Sequence, residues 1–335
     1  MAETRLTNAV IPEVFTAYTA EQSIYKSRLF LSNVVELNAG ISGLLSGGGE
    51  IYKLPFWQDV SGTSGDIPAE ASAQTVNNLV ARSQVFRKQV RTKAWGSNDL
   101  VAVFAGDDPI AQLQNMVVDY WSQAFDQIAI NSAVGVIANN IAADASDLVT
   151  DISGGVGAAA VFSSNAVIDA QAKLGENGTV GRGDLNGGDF VAIAVHPAVY
   201  ALMRKQNAID FIAIGDQQRP TAFYMGMQVI VDRNLPVDTG VYDTYIFKAG
   251  AFQYGLSTAG YLPTEIDRTP GSGFGIDTLY TRRTFGIHPV GFAWEEDTVT
   301  GGISPSDANL ALAANWDRVF NAENARMVML RAKIA

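Results

Sequence analysis

The sequence predicts a mixed α+β fold. Three observations carry that expectation: one very long helical stretch from Asp107 to Asn140, short apolar or alternating runs of strand character on both sides of it, and no internal repeat of fixed period. The elements are justified in chain order below.

Residues 1–49 read as an N-terminal arm. They hold Pro12, an amphipathic stretch from Thr19 to Leu37 that suits a helix, and a flexible exit at Gly40, Gly43 and Gly47-Gly48-Gly49. Residues 50–96 read as a long two-stranded excursion. Ile51 to Trp57 is a strand that Pro55 restricts to an edge, a polar span follows from Ser61 to Thr75, and a returning strand runs from Ser83 to Trp95. Trp57 and Trp95 are expected near its base. The outgoing arm holds Glu50, Asp59, Asp66 and Glu70 against Lys53, whereas the returning one is basic, with Arg82, Arg87, Lys88, Arg91 and Lys93. An isolated hairpin of this length has no core and needs something to lie on. The two arms either neutralise each other across the ladder or meet a neighbouring surface. On the second reading Arg82, Arg87, Lys88, Arg91, Lys93 and Trp57 are the contact residues, and charge reversal at Arg87 and Lys88 weakens assembly more than folding.

Asp107 and Asp108 can cap a helix whose first position is Pro109, where the missing N–H costs nothing. Ile110, Leu113, Val117, Tyr120, Trp121, Ala124, Phe125, Ile128 and Val136 then recur at helical spacing through residues 108–140. Such a rod is roughly 45 Å long, more than a compact domain needs. Its other face carries Gln112, Gln114, Asn115, Ser122, Gln123, Gln127 and Asn131 in place of Lys and Glu. Uncharged amides suit either the core of a large enzyme or a face that meets other protein.

Beyond the rod, Ser164 can cap a helix from Asn165 to Leu174 that Gly175 ends, and residues 175–188 form a glycine-dense loop. Phe190–Val195 reads as a buried strand and Pro197 starts a short helix through Lys205. Met227–Asp232 and Tyr242–Phe247 are further strands, so residues 154–260 make an α/β unit. Strand character returns over Thr278–Trp294, interrupted at Gly286 and Pro289. Ser304-Pro305-Ser306-Asp307 caps a helix through about Trp316, and Met327–Leu330 is a last short strand in the returning segment 261–335.

Composition excludes several function classes. The chain has no cysteine, which removes disulfides, thiol nucleophiles, iron–sulfur clusters and cysteine zinc sites. The net charge of −11 argues against a general nucleic-acid binder. No apolar segment resembling a signal peptide or a membrane span is found, so a soluble protein made in a cytoplasm is expected. Gly155-Val156-Gly157-Ala158-Ala159-Ala160 matches a relaxed dinucleotide fingerprint, but that mechanism needs a helix opening at once, and here the helix signal waits until Ser164. Asn177-Gly178-Thr179 and Arg182-Gly183-Asp184 support no function. His196, before Pro197, reads as a hydrogen-bonded structural histidine. His288 has no ligand partner at metal spacing. Glu295-Glu296-Asp297 reads as a solvated turn. No catalytic, metal or cofactor-binding residue is assigned, and no cofactor is expected.

Set in order, these elements resemble the major capsid protein of tailed bacteriophages, with the Hong Kong 97 type fold. The phrases Tyr224-Met-Gly-Met-Gln-Val-Ile-Val-Asp232, Phe247-Lys-Ala-Gly-Ala-Phe252 and Asn315-Trp-Asp-Arg-Val-Phe320 are similar to wording in that family. The resemblance implies an N-terminal arm (1–49), an extended loop (50–96), a peripheral domain with a spine helix (97–153), an axial domain (154–260) and returning peripheral strands with the C-terminal segment (261–335). It implies a structural subunit, not an enzyme, that packs with copies of itself as hexamers and pentamers in an icosahedral virion shell around DNA held weakly and non-specifically. A separate scaffolding protein, a portal and cement proteins are implied partners, with assembly in the host bacterial cytoplasm and no membrane. Nothing assigns a covalent cross-link to Lys88 or Lys93. An encapsulin compartment would use a similar chain, and from other classes stand an α/β nucleotide-dependent oxidoreductase and a surface-layer or tail structural protein.

Overall fold

The computed structural model describes residues 29–30, 32–58, 78–105, 109–175, 190–212, 221–258, 260–271, 274–296 and 304–335. Outside the described residues lie most of the N-terminal arm with Pro12, the polar span 61–75, the Asp107–Asp108 cap, the glycine-dense loop with Asn177 and Arg182, and Asp297.

The chain enters through β1 (Val35–Leu37) and α1 (Ala39–Leu45). The sequence suggested a helix running to Leu37 and a flexible exit after it. Instead Asn38 accepts hydrogen bonds from the amides of Gly40 and Ile41 and so starts a helix through the glycines, which buries Ile41 and Leu45. Then come β2 (Ile51–Trp57), β3 (Ala81–Arg87) and β4 (Gln89–Asn98). The expected returning strand is thus two, broken at Lys88, because its halves belong to different sheets. Next is α2 (Asp99–Ala105), which the sequence reading missed, and then the spine helix α3 (Pro109–Ala143).

The middle and end of the chain supply β5 (Val149–Asp151), α4 (Ser164–Ala172), β6 (Phe190–Val195), α5 (Pro197–Lys205), β7 (Asp210–Ile212), β8 (Thr221–Tyr224) and β9 (Met227–Val231). They continue with β10 (Val237–Asp238), β11 (Val241–Lys248), β12 (Phe252–Ser257), β13 (Thr264–Thr269), β14 (Ile276–Pro289), β15 (Phe292–Trp294), α6 (Asp307–Leu310), β16 (Trp316–Arg318) and β17 (Met327–Lys333). The cap of α4 is Ser163, one residue before the expected Ser164. Gly286 does not interrupt β14. It faces Gly255 across the ladder, and α1 crosses that spot so closely that a Cβ on Gly255 would sit 2.6 Å from the Ile41 side chain.

Among the described residues the strands make two main sheets. One, of eight strands, has the order β5-β17-β11-β6-β9-β8-β7, with β10 beside β11. The other has five: β14 carries β4 along one edge and β12 and β13 end to end along the other, and β1 lies parallel to β12 on its far side. The C-terminal strand β17 lies inside the eight-stranded sheet, antiparallel to β11 from Val241↔Lys333 to Phe247↔Met327. Met327, Val328, Met329 and Leu330 are fully buried there. Their unbroken apolar run is the mark of a strand covered on both faces.

Helix α3 joins the two halves. Its 35 residues span about 52 Å. Near its start Val117 and Trp121 pack on Leu279, and the Trp121 indole N–H donates to Thr281 Oγ1 at 3.2 Å. Further along, Ile128, Ala129, Ala133, Val136 and Ile137 enter the main core with β6, β11 and β17. It stops without glycine: Ala145 and Ser146 take positive φ, and the Ser146 amide bonds back to the Asn140 carbonyl. Arg318 from β16 clamps this corner, bonding both oxygens of Asp147 at 2.7 and 2.8 Å.

The expected helix through Trp316 is cut to the four residues of α6. Its next carbonyls are taken by side chains: Asn315 Nδ2 donates to Asn309 O at 2.9 Å, and Trp316 Nε1 to Leu310 O at 2.7 Å. Helix propagation loses its acceptors to tertiary contacts, and the chain turns into β16.

Candidate assembly interface

The ribbon of β2 and β3 pairs from Ile51↔Arg87 at its root to Trp57↔Ala81. Burial alternates along β2, so Tyr52, Leu54 and Phe56 face the body while Ile51, Lys53, Pro55 and Trp57 face outward. At the root Tyr52 stacks on Phe86, which is buried with Ile41 and Leu45. Farther out Phe56 meets Phe320 edge-on at 4.8 Å, and Gln84 Oε1 accepts from the Gly291 amide. A cleft of about 450 Å³ lies beside this contact, lined by Phe56, Trp57, Val319, Phe320, Asn321 and Arg326. Trp57, expected near the base, is at the outer end of the described ribbon and is 67% exposed. Trp95 is elsewhere, on β4 and edge-on to Tyr120. The hairpin is less coreless than its sequence suggested, because its root has a small core of its own with α1.

The basic residues divide. Arg87 is buried, its side chain 4% exposed, and ion-pairs with Glu50 at 2.7 Å and Glu296 at 3.1 Å. Arg91 is held by Ser304, the Pro305 carbonyl and Asp307 at 2.7, 2.6 and 3.1 Å. Lys88 Nζ donates to Gly47 O. Arg82 and Lys93 are exposed. For Arg87, charge complementarity thus operates within the chain, across the ladder to Glu50 and onward to Glu296. Glu296 is consequently not the solvated turn residue the sequence suggested, and reversing Arg87 acts first on folding. Arg82, Lys93 and Trp57 are exposed, and among the described residues no ion pair engages either cation.

The spine helix's amide face is half covered. Ser122, Gln123, Gln127 and Asn131 are of intermediate exposure, and Gln127 Nε2 donates to Asn131 Oδ1 at 3.1 Å. Sequence reasoning missed several exposed apolar side chains near the ends of these elements. Val103 and Phe104 of α2, Val118 of α3 and Phe274 of the β13–β14 turn are exposed. Arg268 braces that turn, paired to Asp99 and Asp277 and bonded to Phe274 O. The run Val101-Ala-Val-Phe104, too apolar for an idle linker, was the available signal.

The described residues that the sequence singled out have structural surroundings. Gly157–Ala160 is one turn of 3₁₀ helix beside Val156, itself 92% exposed, and the first α-helical N-terminus comes four residues later at Ser164. His196 caps α5, its Nδ1 accepting from the Ala198 amide at 3.2 Å, which is the structural part expected of it. His288 is buried between Phe86 and Trp316, and burial pushes its pKa down to about 4, partly countered by a backbone hydrogen bond with Phe292. Among the described residues no three metal-ligating side chains converge, and no helix is long and apolar enough to cross a membrane.

A long spine helix joining two sheets, with a two-stranded ribbon set against them, is the arrangement of the Hong Kong 97 type fold. Solved structures bear this out: the capsid asymmetric unit of cyanophage Pam1 matches with a TM-score of 0.62 at 12% identity, covering 100% of both chains. The capsid of Ralstonia phage GP4 matches with a TM-score of 0.59 at 12% identity, covering 96% of each. The holo-SrpI encapsulin complex from Synechococcus elongatus shares the fold at a TM-score of 0.54 and 7% identity, covering 96% of this chain and 94% of that one. Sequence narrows the class: residues 86–319 match the model of a phage capsid protein family, and the major capsid protein of Bacillus phage SPP1 is 30% identical over 344 residues, covering 100% of this chain and 99% of that protein. The chain belongs to the phage capsid protein family.

Proposed function

We propose that this protein is the structural subunit of an icosahedral tailed-phage head, packing as hexamers and pentamers into a shell that encloses double-stranded DNA. The observation that carries this is the end-to-end kinship with a phage major capsid protein. The ribbon, with Trp57 exposed at the outer end of its described part, fits a subunit completed by copies of itself. A net charge of −11 suits a container from which packaged DNA must slide freely. A scaffolding protein, a portal and cement proteins are its further partners, and the host cytoplasm is its place of assembly. Efficient formation of uniform shells from this chain alone would remove the scaffolding protein from that list.

The encapsulin likeness keeps one second reading in play, a compartment that encloses protein cargo. Electron microscopy of particles from infected cells, with analysis of their contents, separates the two. Packaged DNA supports the phage head, protein cargo without DNA supports the compartment, and a discrete small oligomer contradicts both.

A further inference from the structure

Strand β4 lies at a margin of the five-stranded sheet, and part of its main chain faces outward. In the β4–β14 ladder the partners are Val90↔Thr284, Thr92↔Arg282 and Ala94↔Tyr280. The Arg282 amide donates the other way, to Pro263 O at 2.9 Å, and the Thr284 amide donates to the Tyr261 hydroxyl at 2.8 Å. Bonded and non-bonded pairs alternate along an antiparallel ladder, so Val90, Thr92 and Ala94 turn their N–H and C=O groups away from β14. The Val90 amide shows the direction, donating to Ser304 Oγ at 3.0 Å. Among the described residues no strand covers Thr92 or Ala94, and Thr92, Lys93 and Ala94 are exposed.

We propose that this edge is an assembly site, where an extended segment of a second copy of the chain adds to β4 as a further strand and bonds to the main chain of Thr92 and Ala94. Strand addition takes its affinity from main-chain hydrogen bonds. There is room for it: an open cleft of about 810 Å³ adjoins the edge, lined by Val90, Thr92, Ser304, Ser306 and Asp307. Ser304 holds the first bonding position, at Val90, so the added strand begins where that hydroxyl leaves off. The edge is also charged for one kind of neighbour. Arg91 is held by Asp307, whereas Lys93 is exposed and has no ion pair among the described residues. A second copy, with 34 acidic residues against 23 basic ones, supplies the carboxylate that Lys93 lacks. An open edge with no fixed partner invites uncontrolled pairing, and a shell of copies gives it a fixed one. The proposal rests on the capsid reading for the identity of that partner.

Hydrogen exchange, resolved to single amides by mass spectrometry, tests this on the unaltered full-length protein as free subunits and as purified shells. The Thr92 and Ala94 amides should exchange about tenfold or more slowly in shells than in subunits, while the Lys93 amide, bonded to β14, is slow in both. Equal rates for Thr92 and Ala94 in the two states overturn the proposal. So does protection that disappears when every other head protein is stripped from intact shells, because the occupant is then not a second copy. Failure to form any shell contradicts the capsid reading itself, whereas shells with unprotected edges contradict this proposal alone. Thr92→Pro removes one outward N–H and leaves the β14 ladder intact, so it should keep the subunit's urea midpoint and lower shell yield about fivefold or more. Thr92→Ala keeps the amide and should assemble as wild type does. A folded Thr92→Pro subunit that assembles as well as Thr92→Ala overturns the proposal.

Discussion

Replacing Gly135 by alanine sets two effects of opposite sign against each other. Gly135 is in the middle of α3, where helix propensity favours alanine by about 1 kcal/mol. A Cβ there would stand 2.1 Å from the Leu310 carbonyl oxygen and 2.6 Å from Trp316 Nε1, the two ends of one buried hydrogen bond. Both neighbours belong to the α6–β16 crossing, so no flexible side-chain tip can swing aside. Overpacking of this kind costs about 1–3 kcal/mol, and separating a buried donor from its acceptor adds about 1–3 more. The net is a destabilisation of about 2–4 kcal/mol. Gly43 is the control: it is helical in α1 with nothing within 4 Å of its Cβ position, so alanine there should stabilise by about 0.5–1 kcal/mol. Urea unfolding of the unassembled subunit, followed by tryptophan fluorescence, reads both. A Gly135→Ala subunit as stable as Gly43→Ala would refute the close crossing of α6 and β16 over the spine helix.

Acid should weaken the fold through His288. Its folded pKa near 4 is below the usual 6.5, so its contribution is complete above about pH 6.5, falls as pH drops, and is gone once pH passes below the folded value; the full loss is about 3 kcal/mol. Urea midpoints between pH 7 and 4 should show this slope in wild type and a shallower one in His288→Asn. Arg87→Glu should lower subunit stability by about 2 kcal/mol or more by setting a third carboxylate beside Glu50 and Glu296, measured by thermal melting, with exposure of Glu50 (57%) limiting the loss. Arg82→Glu and Lys93→Glu, both exposed, should leave the melt within about 0.5 kcal/mol and reduce particle yield on sucrose gradients. Trp57→Ala should behave the same way.

Legibility followed the range of the interactions involved. The spine helix, β6 and α5 were written locally, in Pro109 and the apolar period, in Phe190–Val195, and in His196-Pro197, and each begins where its signal stands. Three elements were decided by distant residues. The short α6 ends because Asn315 and Trp316 capture its carbonyls, β17 joins the eight-stranded sheet by pairing with β11, and β3 breaks from β4 because each has a different partner strand. Helix α1 was hidden by its glycines, though Asn38 was there to cap it. In the candidate interface, Trp57 was expected near the base of the ribbon, and it stands exposed at the outer end of the described part. The burial of Arg87 depends on Glu296, more than two hundred residues away in the chain, and periodicity carries no trace of such a pair.

The mass of the purified full-length protein in solution, read by mass photometry across the micromolar range, bears most directly on whether copies of this chain complete one another. The account predicts species at five and six times 35.7 kDa, or closed shells far above them. A lone 35.7 kDa species at every concentration, with or without the other head proteins, would contradict it.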